Sequence, residues 1–72
     1  MVFQRLRDLR EDRDLTQKEI AAILNVSQNT YSQYETGKIT LTAEVLLTLS
    51  EFYGVSTDYL LGKTDNEAPH EV

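Results

Sequence analysis

Residues 16–36 read TQKEIAAILNVSQNTYSQYET, and this stretch decides the fold. The hydroxyl of Thr16 can cap a helix, and Glu19 completes a capping box three residues further on. Asn25 tolerates the left-handed backbone that ends many helices, and Ser27 can cap the helix that follows it. The stretch therefore predicts two short helices joined by a turn of only a few residues.

The apolar residues of this stretch fit two helices that cross at a steep angle. A turn this short between short helices forces a sharp crossing rather than an antiparallel hairpin. Tyr31 and Tyr34 fall on the inward face of the second helix, so we predict core aromatics rather than platforms that stack on bases. The inward face of the first helix is predicted to consist of Ile20, Ala21, Ile23 and Leu24.

The chain on either side of this stretch reads as three more helices. The first is predicted from about Val2 to Arg13, because Phe3, Leu6 and Leu9 recur along one stripe of a helix. Two later helices each begin after a hydroxyl cap and end at a glycine. The predicted caps and stops outside the central stretch are Asp14, Gly37, Thr42, Gly54, Ser56 and Gly62.

No segment alternates between apolar and polar residues for long enough to predict a strand. The expected fold class is therefore all-α, with five short helices forming a single domain over residues 1–62. Residues 63–72 contain Pro69 and several charges but no apolar stripe. We expect this segment to be a flexible acidic tail.

The composition argues against several classes of protein. The 72 residues suit one small domain, and 40% of them are hydrophobic, as in ordinary globular proteins. Cysteine is absent and the one histidine is His70, so thiolate metal sites and histidine catalysis are hard to build. No apolar run approaches the roughly 20 residues of a membrane span. We expect no enzyme activity, no cofactor, no metal, no small-molecule ligand, no membrane association and a cytoplasmic location.

The formal net charge is -5, which by itself disfavours a nucleic-acid partner. The charges are unevenly distributed, however. Residues 1–43 carry as many bases as acids, and all of the excess acid lies in residues 44–72. The excess of acidic residues therefore argues against nucleic-acid binding by the second half of the chain rather than by the central stretch.

The second helix of the central stretch has a polar outer face. At about 100° per residue, five polar side chains fall within an arc of about 140°. They are Gln28, Asn29, Ser32, Gln33 and Thr36. Asparagine and glutamine amides match the donor and acceptor edge of adenine, so this face suits a DNA groove. A polar helix face is also what simple solvation produces, and that interpretation stays open here.

The chain resembles a known family in several short segments. These are Thr16–Ala21, Asn25–Ser27, Thr30–Ser32, Tyr34-Glu35, Gly37-Lys38, Gly54–Ser56 and Tyr59–Gly62. Over roughly residues 3–62 the chain is similar to the Cro and phage-repressor type of helix-turn-helix, the Xre family. The resemblance implies a third helix that enters the major groove of double-stranded DNA. It also implies a transcriptional regulator, expected to be a repressor that acts by occupying a pseudo-palindromic operator.

The polar face of the third helix, the position of nearby lysines and the resemblance together assign roles to individual side chains. The residues expected to read bases are Gln28, Asn29, Ser32 and Gln33. The residues expected to hold the DNA backbone are Gln17, Lys18, Thr36 and Lys38. Since one such domain reads few base pairs, useful affinity calls for a dimer on two half-sites. We expect a weak homodimer through the surface around the fifth helix, which carries Tyr59, Leu60 and Leu61.

An ion pair is expected inside the domain. Arg10 lies beside the apolar stripe of the first helix, where a guanidinium needs an acidic partner. Glu35 lies beside Tyr31 and Tyr34 and is the natural partner. The resemblance implies the same pair, because members of the family have a salt bridge between the matching positions.

A protein-interaction module is the alternative function. An antitoxin-like or adaptor protein could use the same helices to hold another protein, and the excess acid in residues 44–72 favours it because acids repel phosphates. Loss of duplex binding at high salt would distinguish a DNA-binding protein from such a module.

Overall fold

The computed structural model describes residues 3–63, which form five α-helices and no strand. The helices are α1 (Gln4–Asp12), α2 (Gln17–Leu24), α3 (Gln28–Thr36), α4 (Ala43–Tyr53) and α5 (Thr57–Leu60). The expected all-α fold class is confirmed. The predicted acidic tail beyond Lys63 lies outside the described residues.

The four predicted hydroxyl caps are all present. Thr16, Ser27, Thr42 and Ser56 each accept a hydrogen bond from a backbone N–H in the first turn of the helix that follows, over 3.0–3.1 Å. At α2 the Glu19 carboxylate also accepts from the Thr16 backbone N–H at 3.1 Å, which completes the capping box. The starts of α2 to α5 are therefore fixed locally by side chains next to each helix.

The left-handed stops are present where the sequence predicts them. Asn25, Gly37 and Gly54 have φ of 59°, 78° and 69° and cap the C-termini of α2, α3 and α4. The helix-turn-helix of residues 16–36 thus has both of its helices defined at both ends.

The first and last helices are shorter than the sequence predicts. Phe3 is the N-cap of α1 and packs against the core, so the helix begins at Gln4 rather than Val2. It ends at Asp12 because Arg13 is the C-cap, and the left-handed residue Asp14 lies beyond it. Helix α5 likewise ends before Leu61, whose backbone is right-handed, and Gly62 with φ 77° makes the turn one residue later.

The core joins all five helices through side chains with almost no exposed surface. The largest of these are Leu6, Ile20, Tyr31, Leu49, Val55 and Leu60. Tyr31 and Tyr34 are buried, as predicted. Ile23 is 41% exposed, so the prediction that it faces inward is wrong. On α2 it lies about 200° around the axis from Ala21, which is buried against the core.

Arg13 connects the end of α1 to the end of α4. Its Nη2 donates to the Tyr53 carbonyl at 2.8 Å, and its guanidinium lies 5.0 Å from the centre of the Tyr53 ring. A cation at this place satisfies a free carbonyl and complements the helix dipole.

Between residues 3 and 63, no helix combines the length and apolar character that crossing a bilayer requires.

Candidate nucleic-acid interface

The outer face of α3 carries the side chains that the sequence predicts there. Gln28, Asn29 and Thr36 are exposed, and Ser32 and Gln33 on the same face are half-buried. The two buried tyrosines of α3 lie beneath this face and anchor the helix in the core. The polar face therefore sits on a rigid support, with its amides free to contact a partner.

The structure brings one residue of α2 next to this face. Gln17 lines a shallow hollow together with Gln28, Asn29 and Ser32. Three of the four sequence-predicted base readers thus surround one depression, and the predicted backbone contact Gln17 forms its edge. Gln33 lies outside this depression.

Thr36 lines a second hollow, on the other side of Gln17. The residues around it are Gln4, Arg7, Arg10, Gln17, Glu35 and Thr36. Gln17 lines both hollows and lies between them. The ion pair expected from the sequence lies in this second hollow.

The two predicted lysines are placed differently from one another. Lys38 follows the C-cap of α3, where its backbone N–H donates to the Gln33 carbonyl at 2.9 Å. Lys18 lies in the first turn of α2. Both side chains are exposed, and neither forms an ion pair within residues 3–63. Each ammonium is therefore available for an anionic partner.

Arg10 and Glu35 form a bidentate ion pair that is almost fully buried. Arg10 Nε donates to Glu35 Oε2 at 2.7 Å, and Nη2 donates to Oε1 at 3.2 Å. The side chains are 13% and 4% exposed. Arg10 Nη1 also donates to the Leu15 carbonyl at 2.9 Å, so one guanidinium ties α1 to α3 and to the loop before α2.

The pair shifts the titration of both groups. Burial alone would raise the pKa of Glu35, but the hydrogen bonds that its carboxylate accepts, chiefly from Arg10, and the charge of Arg10 hold that pKa below its usual value. The pKa of Arg10 is raised, chiefly by its hydrogen bond to Glu35. Burial and the nearby Glu35 carboxylate raise the pKa of Tyr31 well above its usual value. The pair is therefore ionised at neutral pH.

A family model described as helix-turn-helix matches residues 6–60. The chain belongs to the helix-turn-helix family. The resemblance to Cro and phage repressors is confirmed by this match. No solved structure is significantly similar to the chain.

Three relatives illustrate the range of this family. The HTH-type transcriptional regulator ImmR of Bacillus subtilis is 43% identical over 68 residues, 94% of this chain and 54% of ImmR. The cryptic phage CTXphi transcriptional repressor RstR of Vibrio cholerae is 38% identical, over 90% of this chain and 59% of RstR. Antitoxin PezA of Streptococcus pneumoniae is 32% identical, over 88% of this chain and 40% of PezA. The chain thus spans roughly half the length of these relatives.

Two features of this helix-turn-helix were not predictable from the sequence pattern. Gln17 Nε2 donates to Glu35 Oε1 at 3.4 Å, which connects α2 to the ion pair. The hollow shared by Gln17 and the start of α3 is the other feature. Both depend on the angle at which α2 and α3 cross, and helical periodicity does not report that angle.

Among the described residues, no cluster of histidine or acidic side chains could hold a metal ion.

The dependence of stability on alkaline pH tests how well the core excludes water from the hydroxyl of Tyr53. Its hydroxyl is buried without a hydrogen-bond partner within residues 3–63, and burial raises its pKa to about 12. Tyrosine with a raised pKa contributes stability below pH 10 that is lost as the pH rises toward 12. We expect Tyr53→Phe to keep the free energy of unfolding within about 1 kcal/mol at pH 7. Between pH 9 and 11 the variant should lose about 1 kcal/mol less than the wild type in urea titrations.

Equal alkaline losses in the wild type and Tyr53→Phe would contradict this prediction. Tyr59→Phe is a suitable control, because this ring is half-buried and packs under Arg5 rather than inside the core. At pH 7 this control shows what the loss of a tyrosine hydroxyl outside the fully buried core costs.

Proposed function

We propose that this domain binds double-stranded DNA in a sequence-specific way and acts as a transcriptional repressor in the cytoplasm by occupying an operator. The observation that carries the proposal is the hollow in which Gln17 meets Gln28, Asn29 and Ser32. It combines amides suited to base edges with the start of a helix, whose free N–H groups suit a phosphate.

The proposed contacts divide into two classes. Gln28, Asn29, Ser32 and Gln33 read base edges in the major groove. Gln17, Lys18, Thr36 and Lys38 hold the sugar-phosphate backbone and set the register of α3. The exposure of both lysines and the polar outer face of α3 support this division. The mechanism is occupancy alone, and it uses no cofactor, metal or chemical step.

The names of the relatives support regulation as the biological role. ImmR is a transcriptional regulator and RstR a phage repressor. Selection of bound duplexes from a random pool tests the proposal directly. A consistent half-site among the selected duplexes would support it, and the absence of enrichment over the starting pool would contradict it.

A protein-binding role is the second candidate, and two observations favour it. One relative is the antitoxin PezA. Helix α4 also exposes apolar side chains, since Leu47 is 58% and Phe52 is 40% exposed, with acidic residues on the same helix. Binding to mixed genomic DNA at low and high salt separates the two roles, because a protein-binding module shows no salt-sensitive duplex binding.

We also propose that two copies bind one operator. The surface around α5 is less free for this than the sequence suggests, because Leu60 is fully buried and Tyr59 and Leu61 are half-buried. The dimer is accordingly weak, and DNA assembles it. Sedimentation at rising concentration should show a monomer shifting toward a dimer, and more readily with a palindromic duplex. One protein copy per duplex at saturation would contradict the dimer.

The salt dependence of binding should be modest. Lys18 and Lys38 are the two cations proposed to contact phosphates in each copy, and both are exposed. Four lysines in a dimer predict a slope of log K against log salt of about -4, since each neutralised phosphate contributes about -0.9. Titrations of the selected duplex at several salt concentrations measure this slope. A slope near -10 would mean that other bases form the interface.

A further inference from the structure

Gln17 lies between the buried ion pair and the polar face of α3. Its Nε2 donates to Glu35 Oε1, and the same oxygen accepts from Arg10 Nη2 at 3.2 Å. On its other side Gln17 borders the hollow that contains Gln28 and Asn29. One side chain thus connects an interior carboxylate to the residues at the start of α3.

We propose that Glu35 is a positioning residue for DNA recognition, because it fixes the orientation of the Gln17 amide beside Gln28 and Asn29. The proposal rests on the proposed function. An ionised carboxylate accepts hydrogen bonds but cannot donate them. The NH₂ end of the Gln17 amide must therefore face Glu35. The reverse orientation is excluded, because it would place the carbonyl oxygen of Gln17 against a carboxylate that has no proton to donate. The hollow then receives the remaining N–H and the carbonyl oxygen of Gln17 in one fixed arrangement.

Arg10 makes this arrangement rigid. It holds both carboxylate oxygens of Glu35, and its Nη1 donates to the Leu15 carbonyl two residues before Gln17. The carboxylate and the chain leading into α2 are therefore fixed by the same guanidinium. A Gln17 amide held in this way loses little conformational entropy when DNA binds. Its fixed arrangement of donor and acceptor then favours the base sequence that matches it.

The first test uses the free protein. In Glu35→Gln the new amide can donate as well as accept, so it no longer selects one orientation of Gln17. We expect the side-chain amide signals of Gln17 in a ¹⁵N-labelled sample to move toward the position of a solvated glutamine. Unchanged Gln17 signals in a folded Glu35→Gln variant would overturn the proposal. This test does not depend on DNA.

The second test compares binding to the selected duplex with binding to a scrambled duplex. Glu35→Gln should lower this ratio about fivefold, the equivalent of one hydrogen bond. In a Gln17→Ala background the same change should have no further effect on the ratio. Equal losses in both backgrounds would overturn the proposal, because Glu35 would then act independently of Gln17.

Two further variants separate positioning from stability. Gly54→Ala adds a Cβ that has no atom within 4 Å, so the only strain comes from the φ of 69°. Gly54 is far in sequence from α2 and α3, so this strain should lower stability without disturbing the polar face. It should leave the ratio unchanged. Gln17→Met keeps the ion pair and removes only the amide, so it should lower the ratio even if Glu35→Gln fails to fold. A Gln17→Met variant that keeps the wild-type ratio would overturn the proposal. A wild type that binds no duplex would instead refute the proposed function, and the amide signals would then decide the positioning of Gln17.

Discussion

Glu35→Ala should lower the free energy of unfolding by about 3–5 kcal/mol. The Arg10 side chain is only 13% exposed, and the substitution removes the carboxylate that pairs with its guanidinium and breaks the connection between α1 and α3. A charge left buried without its partner is among the costliest defects that a single substitution creates. A domain of this size has only a few kcal/mol of stability, so the variant should be largely unfolded at room temperature. Circular dichroism without denaturant measures the unfolded fraction of the variant, and urea titration of the wild type gives the stability with which it is compared.

The chain offers a matched control for this experiment. Arg7 and Glu11 form an ion pair of similar length, 3.1 Å, on the same helix, but their side chains are 59% and 55% exposed. Glu11→Ala should therefore cost less than about 1 kcal/mol, because surface pairs are solvated in the unfolded and folded states alike. A loss for Glu35→Ala no larger than that of Glu11→Ala would show that the interior pair contributes little.

The same pair makes the stability depend on pH in a predictable direction. The folded-state pKa of Glu35 lies below its ordinary value of 4.5, because the hydrogen bonds that its carboxylate accepts, chiefly from Arg10, and the charge of Arg10 outweigh the effect of burial. A carboxyl group with a lowered pKa contributes stability that is fully present above the unfolded-state pKa and is lost as the pH falls through the folded-state pKa. The wild type should therefore lose stability below about pH 4.5, and Glu35→Gln should lose less over the same range.

The sequence predicts the helix-turn-helix because its signals are local. A hydroxyl cap, a left-handed stop and a short turn each involve residues within four positions of one another, and the caps at Thr16 and Ser27 and the stop at Asn25 are present as predicted. The ends of α1 and α5 were predicted less well. There Phe3 and Leu61 are apolar residues that fit a helical stripe yet pack against the core from outside the helix.

The candidate site was predictable as a set of residues but not as an arrangement. Helical periodicity correctly puts Gln28 and Asn29 on the outer face of α3. It gives no information about which residue of α2 lies beside them, because that depends on the crossing angle. The contact of Gln17 with Glu35 spans eighteen positions and appears only when the helices are packed.

Gln28→Ala and Gln33→Ala should weaken binding to the selected duplex while nearly preserving binding to a scrambled one. Each amide that bonds an adenine bidentately supplies about 1–3 kcal/mol of discrimination, so each variant should lose roughly 5- to 150-fold on the selected site. The base preference at the affected position should relax as well. The effect is confined to the selected site because both amides are proposed to contact base edges and not phosphates. Titrations of both duplexes at one fixed salt concentration measure it.

Lys38→Ala is the matched control, since this exposed lysine follows α3 directly and is proposed to contact only phosphate. It should weaken both duplexes alike and reduce the magnitude of the salt slope by about 1 for each contact removed. Asn29→Ala should behave like the two glutamine variants, because Asn29 borders the same hollow as Gln28. If the face of α3 is merely solvated, none of the three amide variants changes binding. Equal losses on both duplexes for Gln28→Ala and Gln33→Ala would instead assign these side chains to the DNA backbone, and base reading would then belong to other residues of the outer face.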